Sequence, residues 1–163
     1  MIKRVSWVAA LVVMSVLIPS LLLGQSLPQV MYPEGYRSWE RVKSEVILKG
    51  HEHYEAFGGF HHVYANKQAI AALKEQMPFP NESVLVFELF ETIAENNMIT
   101  EGHRLVIGVM EKDSERFSET EGWGFEDFRE ANPSQRSVTD MRAQCLSCHA
   151  TQKATDYVYT SYR

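Results

Sequence analysis

The chain has 163 residues, 45% of them hydrophobic, with 16 Lys and Arg against 21 Asp and Glu, a formal net charge of −5 with the histidines neutral. This length supports one compact domain with a real core and is short of two comfortable ones. The acidic balance, with no basic stripe that could hold phosphates, argues against nucleic acid as a partner.

The first residues, "MIKRVSWVAALVVMSVLIPSLLLGQS", have a basic start (Lys3, Arg4), an apolar run from about Val5 to Leu23, and small or polar residues at Gly24 to Ser26. That pattern predicts a signal peptide over 1–26, cleaved after Gly24 or Ser26, and an exported, periplasmic protein. Its removal takes away two basic residues and no acid, leaving 14 against 21 and a net charge of −7. The run approaches the length of a spanning helix, so an uncleaved anchor is the alternative, with Pro19 and Ser20 favouring cleavage. The mature domain is then 27–163, and its first stretch, 27–35 with Pro28 and Pro33, reads as a short tether.

In chain order, "YRSWERVKSEVILKG" (36–50) spaces Tyr36, Trp39, Val42, Val46 and Leu48 in a mixed pattern that predicts a helical first half running into a strand. The aromatic and β-branched "FGGFHHVYAN" (57–66), entered through glycines, predicts a strand reached by a bend. Asn66 can then cap a helix over "KQAIAALKEQ", with Ile70, Leu73 and the alanines on its buried face and Pro78 and Pro80 stopping it. "SVLVFELFETI" (83–93) is the most strand-like run; period two puts Leu85, Phe87 and Leu89 on one face and Val84, Val86, Glu88 and Phe90 on the other. Glu88 and Glu91 near its end read as a solvated edge rather than a carboxylate relay.

"RLVIGVME" (104–111) predicts a second apolar strand, in which Gly108 marks either a close approach or a bulge. A helical turn at "DSERF" (113–117) and a further strand at "WGFEDF" (123–128) follow. After Pro133 a terminal helix, "VTDMRAQCLSCHA", leads to the aromatic tail "YVYTSYR", and Trp123 and Tyr157 read as packing residues. The outline is α+β, an antiparallel sheet with helices segregated to one side.

The only two cysteines, Cys145 and Cys148, are followed at once by His149. Cys-x-x-Cys-His is the attachment sequence of a c-type haem, and the spacing has a mechanical reason. Two thiols three residues apart on a helical turn can each add across one vinyl group of the same porphyrin edge, while the next imidazole swings beneath the ring to bind iron. This reading makes Cys145 and Cys148 cofactor-binding, His149 the axial metal ligand, and one covalent haem c the cofactor. A disulfide across so short a span would close a small loop and add little stability. A thioredoxin-like pair would normally sit in a βαβ unit, for which no chain is left after Cys148. Zinc would need a further ligand from His51, His53, His61, His62 or His103, none at a finger-like spacing. The sixth coordination position divides the functions: filled by Met or His, the iron shuttles electrons; left open, it takes diatomics or a nitrogenous substrate.

Beyond the motif, "PEGYRSW" (33–39), "HHVYAN" (61–66) with its helix, "VLVFEL" (84–89), "EKDSERF" (111–117), "GWGFEDF" (122–128), and "CLSCH" followed by "KATDYVYTSYR" together resemble the cytochrome P-460 superfamily, which includes cytochrome c′-beta. The resemblance implies a curved antiparallel sheet packed over one face of a c-type haem, the attachment motif near the C-terminus, and commonly a homodimer. It also implies two activities separated at one position. The P-460 enzymes oxidise hydroxylamine and carry a lysine, in a pattern like V-x-V-K-E-L, that is cross-linked to the haem edge. Here the matching residue is Phe87, and no lysine occurs from Glu82 to Glu95. The cytochrome c′-beta members instead place an apolar, often phenylalanine-lined distal pocket over a five-coordinate iron that binds nitric oxide or carbon monoxide. The face Leu85, Phe87, Leu89 fits that description, beside the plainer reading of Phe87 as strand core.

By the same resemblance His61 falls where some enzymatic relatives carry a pocket arginine. A distal imidazole could donate to a bound ligand, shuttle a proton or bind iron, and only one of His61 and His62 can readily face a haem on a single strand. The other reading of the pair is two partly exposed histidines on a sheet. Phe57 and Phe60 are weaker candidates for the pocket wall. The expected function is a mono-haem cytochrome with a five-coordinate iron that binds nitric oxide or other diatomics, with a redox partner the sequence does not name. The alternatives are a hydroxylamine-oxidising oxidoreductase, which leaves open whether the protein is an enzyme, and a six-coordinate electron-transfer cytochrome with His61, His62, Met98 or Met110 on the iron.

Overall fold

A computed structural model describes residues 28–162; the expected signal peptide at 1–26 lies outside the described residues. Five strands, β1 (Glu40–Ile47), β2 (Gly59–Ala65), β3 (Val84–Glu95), β4 (Met98–Lys112) and β5 (Trp123–Arg129), form one open antiparallel sheet in sequential order. Every strand pairs with its neighbours in sequence, so short connections suffice throughout. The expected helical half of 36–50 is only a 3₁₀ turn, Tyr36–Ser38, begun by Gly35 in the left-handed conformation (φ 70°). β1 then takes over at Glu40, because the β-branched Val46 and Ile47 pair along β2, while Val42 sits at a bulge between Arg41 and Lys43.

β3 ends two residues past the run expected at 83–93, whereas β4 starts six residues before the one expected at 104–111. They are joined by a two-residue turn in which Asn96 and Asn97 both have positive φ (51° and 61°), a geometry that matches strand twist and that asparagine tolerates.

Two short helices sit between strands: α1 (Tyr54–Phe57) and α2 (Lys67–Glu75). The Asn66 side chain accepts the Ala69 N–H at 3.0 Å, which is the cap expected of it, and Gln76 in the left-handed region (φ 52°) ends α2. The turn at 113–117 forms, with the Phe117 N–H donating to the Asp113 carbonyl at 3.0 Å. The terminal helix starts later than expected. Gln144 accepts the N–H groups of Thr139 and Asp140, and Asp140 accepts that of Ala143, so helix begins only at Arg142. It runs as a wide π-type turn, Arg142–Leu146, then Ser147–His149, then a 3₁₀ stretch, Ala150–Thr155.

The sheet divides two clusters of buried side chains. On its front, Val42, Ala65, Leu85, Trp123 and Phe125 pack under α2 and under Leu146, Tyr157 and Val158 of the terminal segment. On its back, Val86, Ile107, Val109 and Phe128 pack under Val30, Tyr36 and Phe117. The helices therefore gather on the front, and the back is closed by the N-terminal segment and the 113–120 turn. This corrects the tether reading of 27–35. Val30 is fully buried, Arg136 bonds its carbonyl, and Arg116 bonds the carbonyl of Gln29 at 2.7 Å. At Gly124 a Cβ would run into the Phe117 ring and Val30, so glycine is what lets this segment lie flat.

Glu88 is also not the solvated group expected, while Glu91 is exposed. Glu88 is fully buried on the back, where one carboxylate oxygen accepts from the Tyr36 hydroxyl, from Arg37 (2.7 and 3.0 Å) and from Arg104 (2.9 Å). Burial works against its charge, but these donors hold its carboxyl below the ordinary glutamate range. Replacing Glu88→Ala leaves two guanidinium groups without their anion. The expected loss is on the order of 2–3 kcal/mol, short of the cost of a fully buried pair because Arg37 and Arg104 can turn to water. Because the folded state depresses this pKa, the contribution is present above the unfolded value of about 4.3 and is lost as pH falls through the folded one. Urea unfolding of both proteins at neutral and acid pH checks this: the gap between wild type and Glu88→Ala should narrow in acid.

Candidate cofactor site

The terminal segment carries all three motif residues across the front of the sheet. Cys145 is half-buried and Cys148 exposed, and both thiols are free. Burial first, and then the nearby charges of Asp127 and Glu126, push the Cys145 thiol up to about 12, so it is held as a thiol. The His149 ring lies 5.0 Å from Phe125 and 5.2 Å from Tyr159, centroid to centroid. Its Nδ1 is 2.7 Å from the Tyr157 carbonyl. A carbonyl can only accept, so the proton resides on Nδ1, and Nε2 keeps its lone pair free. That is the tautomer and the outer-shell bond a metal-ligating histidine has. Burial also pulls its pKa down, which keeps the ring neutral and able to ligate.

The Tyr157 carbonyl is aimed at this ring because Asp156 and Tyr157 both have positive φ (51° and 67°), which turns the chain back on itself. Asp156 fastens the turn: its carboxylate accepts from Lys112 Nζ at 2.9 Å, from the Phe79 N–H at 2.9 Å and from Trp123 Nε1 at 3.4 Å. Beyond it the Tyr159 hydroxyl donates to the Cys148 carbonyl at 3.0 Å, tying the tail to the motif.

Facing the same side, Val63, Phe87, Gly108 and Asp127 lie opposite one another across β2 to β5. Phe87 is met edge-on by His61 (4.7 Å) and by Phe57 of α1 (5.9 Å). His61 is 2% exposed, and its Nε2 is already engaged with the Phe57 carbonyl at 2.5 Å. Desolvation lowers its pKa, partly offset by that carbonyl, so it too is a neutral imidazole. Gly108 is a close approach and not a bulge: a Cβ there would stand 3.1 Å from Asp127 Oδ1 and 3.3 Å from the Phe87 ring.

Front and back separate the remaining candidates. His62 turns to the back, where Nδ1 meets Ser44 Oγ at 2.7 Å and Nε2 meets Glu101 at 2.5 Å, and Phe60 goes with it. Met98 is 59% exposed beside the hairpin turn, whereas Met110 packs in the front core opposite Phe125. Trp123 and Tyr157 are buried packing, as expected. Among the described residues no group of three or more His, Cys, Asp or Glu could hold a bare metal ion, so the zinc alternative finds no ligand set there.

Two features escaped the sequence reading. The outer-shell carbonyl of Tyr157 had no signal, since any residue can supply one. Asp127 did have one: period two from Phe125 in "WGFEDF" puts it on the apolar front face. Among the described residues its carboxylate has no hydrogen-bond or ion-pair partner, and burial, with the charge of Glu126, raises it to about 6.

Two free thiols, a neutral imidazole with its outer nitrogen bonded and its other one vacant, and an aromatic sheet face on the same side fit a haem. They define an α+β haem-protein domain in which Cys145, Cys148 and His149 would hold the group. The chain matches the family model Cytochrome P-460 over residues 33–160, and it belongs to that family of haem cytochromes. No curated protein matches the chain.

The Asp156 staple can be tested directly. Asp156→Ala leaves the nearly buried Lys112 ammonium (8% exposed) without its anion. It should cost about 3 kcal/mol in denaturant unfolding. Tyr159→Phe, which loses only a hydroxyl bonded at the exposed tail, should cost under about 1 kcal/mol.

Proposed function

We propose that the protein is an exported mono-haem cytochrome of the cytochrome c′-beta type, its haem attached through Cys145 and Cys148, with His149 on the iron and the opposite side open to nitric oxide or another diatomic. The observation that carries this reading is the aromatic trio at the position of the expected cross-link. Phe87 stands there, Phe57 and His61 pack their edges against it, and the imidazole that could otherwise reach the iron has its Nε2 bonded to a main-chain carbonyl. A phenyl ring cannot form an amine cross-link, and rings above the iron exclude water and bulky or charged molecules while costing a small, weakly hydrated diatomic little.

When bound, the haem supplies a Lewis-acidic, redox-active iron. The chain's own residues hold and orient it: the Tyr157 carbonyl fixes the His149 ring, and Phe87 and Phe57 shape the open side. The resemblance also supports a homodimer in the periplasm, with an external redox partner. Hydroxylamine oxidation stands as the second reading for one reason. Asp127 places an ionisable carboxyl on the same face, where proton transfer could serve a nitrogenous substrate.

The experiment is spectroscopy and mass analysis of the purified coloured protein. Intact mass should show one haem joined by two thioethers, falling to one in Cys148→Ser, and the resting ferric spectrum should be high-spin. Ferrous protein should change spectrum on adding nitric oxide, and hydroxylamine with an artificial acceptor should give no turnover. A low-spin spectrum that no gas perturbs would overturn the proposal in favour of electron transfer, and hydroxylamine turnover would do so in favour of the enzyme. Phe57→Ala, which removes a 42% exposed ring, should speed nitric oxide association several-fold in stopped-flow traces while leaving unfolding midpoints close to wild type.

A further inference from the structure

Asp127 is the acidic residue on the row that crosses the front of the sheet through Phe87. It is half-buried, and a carboxyl group partly withdrawn from water with no donor or cation beside it is held toward its neutral form. Asp127 has neither kind of partner among the described residues, and the missing side chain of Gly108 leaves its Oδ1 facing the same space as the Phe87 ring. After burial itself, its charge is the strongest influence on the Cys145 thiol, so the carboxylate lies beside the point where a porphyrin edge would be joined.

The surrounding groups do not neutralise it. Glu126, next on β5, is held by Arg136 at 3.0 Å and adds a like charge. Arg129 acts from two residues along the strand and only partly offsets that charge. Phe87 of β3 and Gly108 of β4, the residues in line with it, carry no charge. Cys145 ceases to titrate once it is a thioether.

Resting on the haem reading above, we propose that Asp127 is the proton-exchanging group of the pocket: as the haem accepts one electron from an external reductant, Asp127 takes up one proton from solvent, and it returns that proton on oxidation. The reason is electrostatic. A ferric centre in a doubly negative porphyrin carries one net positive charge, and the ferrous form carries none, so a nearby carboxylate favours the ferric state and binds its proton more tightly once the iron is reduced. The raised ionisation of Asp127, about 6, puts this exchange in the range near neutral pH. A ligand reduced at the iron would meet a proton carrier already on its side of the sheet.

The test uses the haem-loaded protein. Its midpoint potential is measured by mediated spectroelectrochemistry from about pH 4 to about pH 8, spanning ordinary and raised carboxyl ionisation. The potential should fall with rising pH through the region of Asp127 ionisation. Asp127→Asn should flatten most of that dependence and Asp127→Glu should keep it, which separates the side chain from the haem propionates. Redox-difference infrared spectra should show a protonated carboxyl band that appears on reduction and is missing in Asp127→Asn. Should that variant fail to load haem, the band in the wild type decides alone, its absence overturning the proposal. A potential that ignores pH, or a slope that survives in Asp127→Asn, sinks this inference while leaving gas binding untouched. A colourless or six-coordinate protein sinks both.

Discussion

One hydrogen bond fixes the chemistry that the front of this molecule can perform: the His149 Nδ1–H on the Tyr157 carbonyl. It chooses the tautomer, frees the opposite nitrogen, and sets the plane of the ring against Phe125 and Tyr159. The bond exists only because the chain reverses at two left-handed residues, and the reversal holds because Asp156 is anchored to β4, β5 and the segment before β3 at once. The tail is thus as much a part of the site as the motif that precedes it.

β3 shows how one strand can serve two purposes without compromise. Its front residues Leu85, Phe87 and Leu89 build the apolar side, and its back residues Val86 and Glu88 build the support. Glu88 gathers Tyr36, Arg37 and Arg104 onto one oxygen, which clamps the N-terminal turn and the root of the long hairpin to the strand that carries Phe87. Period-two geometry keeps the ionic cluster on the opposite side of the sheet from Phe87, so its charges stabilise the scaffold without facing the front. The runs "PEGYRSW" and "VLVFEL", distant in sequence, meet here as a structural pair.

Local chemistry made much of this readable in advance. The Asn66 cap, the strands at 57–66 and 83–93, and the split of His61 from His62 all follow from neighbours within a few positions, and the fold respects them. What stayed hidden depended on distant partners. Glu88 reads as a surface acid until two arginines arrive from elsewhere in the chain, and 27–35 reads as a tether until Val30 finds a slot that Gly124 leaves open. The far end of the hairpin is hard to read because its apolar residues Ile93, Met98 and Ile99 stay exposed, so hydrophobicity alone does not mark its end; the paired asparagines do. Asp127 was passed over for the opposite reason: an acid in an aromatic strand looks incidental until its neighbours prove unable to pair with it.

The burial of Val30 has a topological consequence. The described chain begins on the side of the sheet opposite the thiols, since Val30 belongs to the back cluster and Cys145 packs on the front. A body holding this end of the domain would meet the back of the sheet and leave the face that carries Cys145, Cys148 and His149 uncovered.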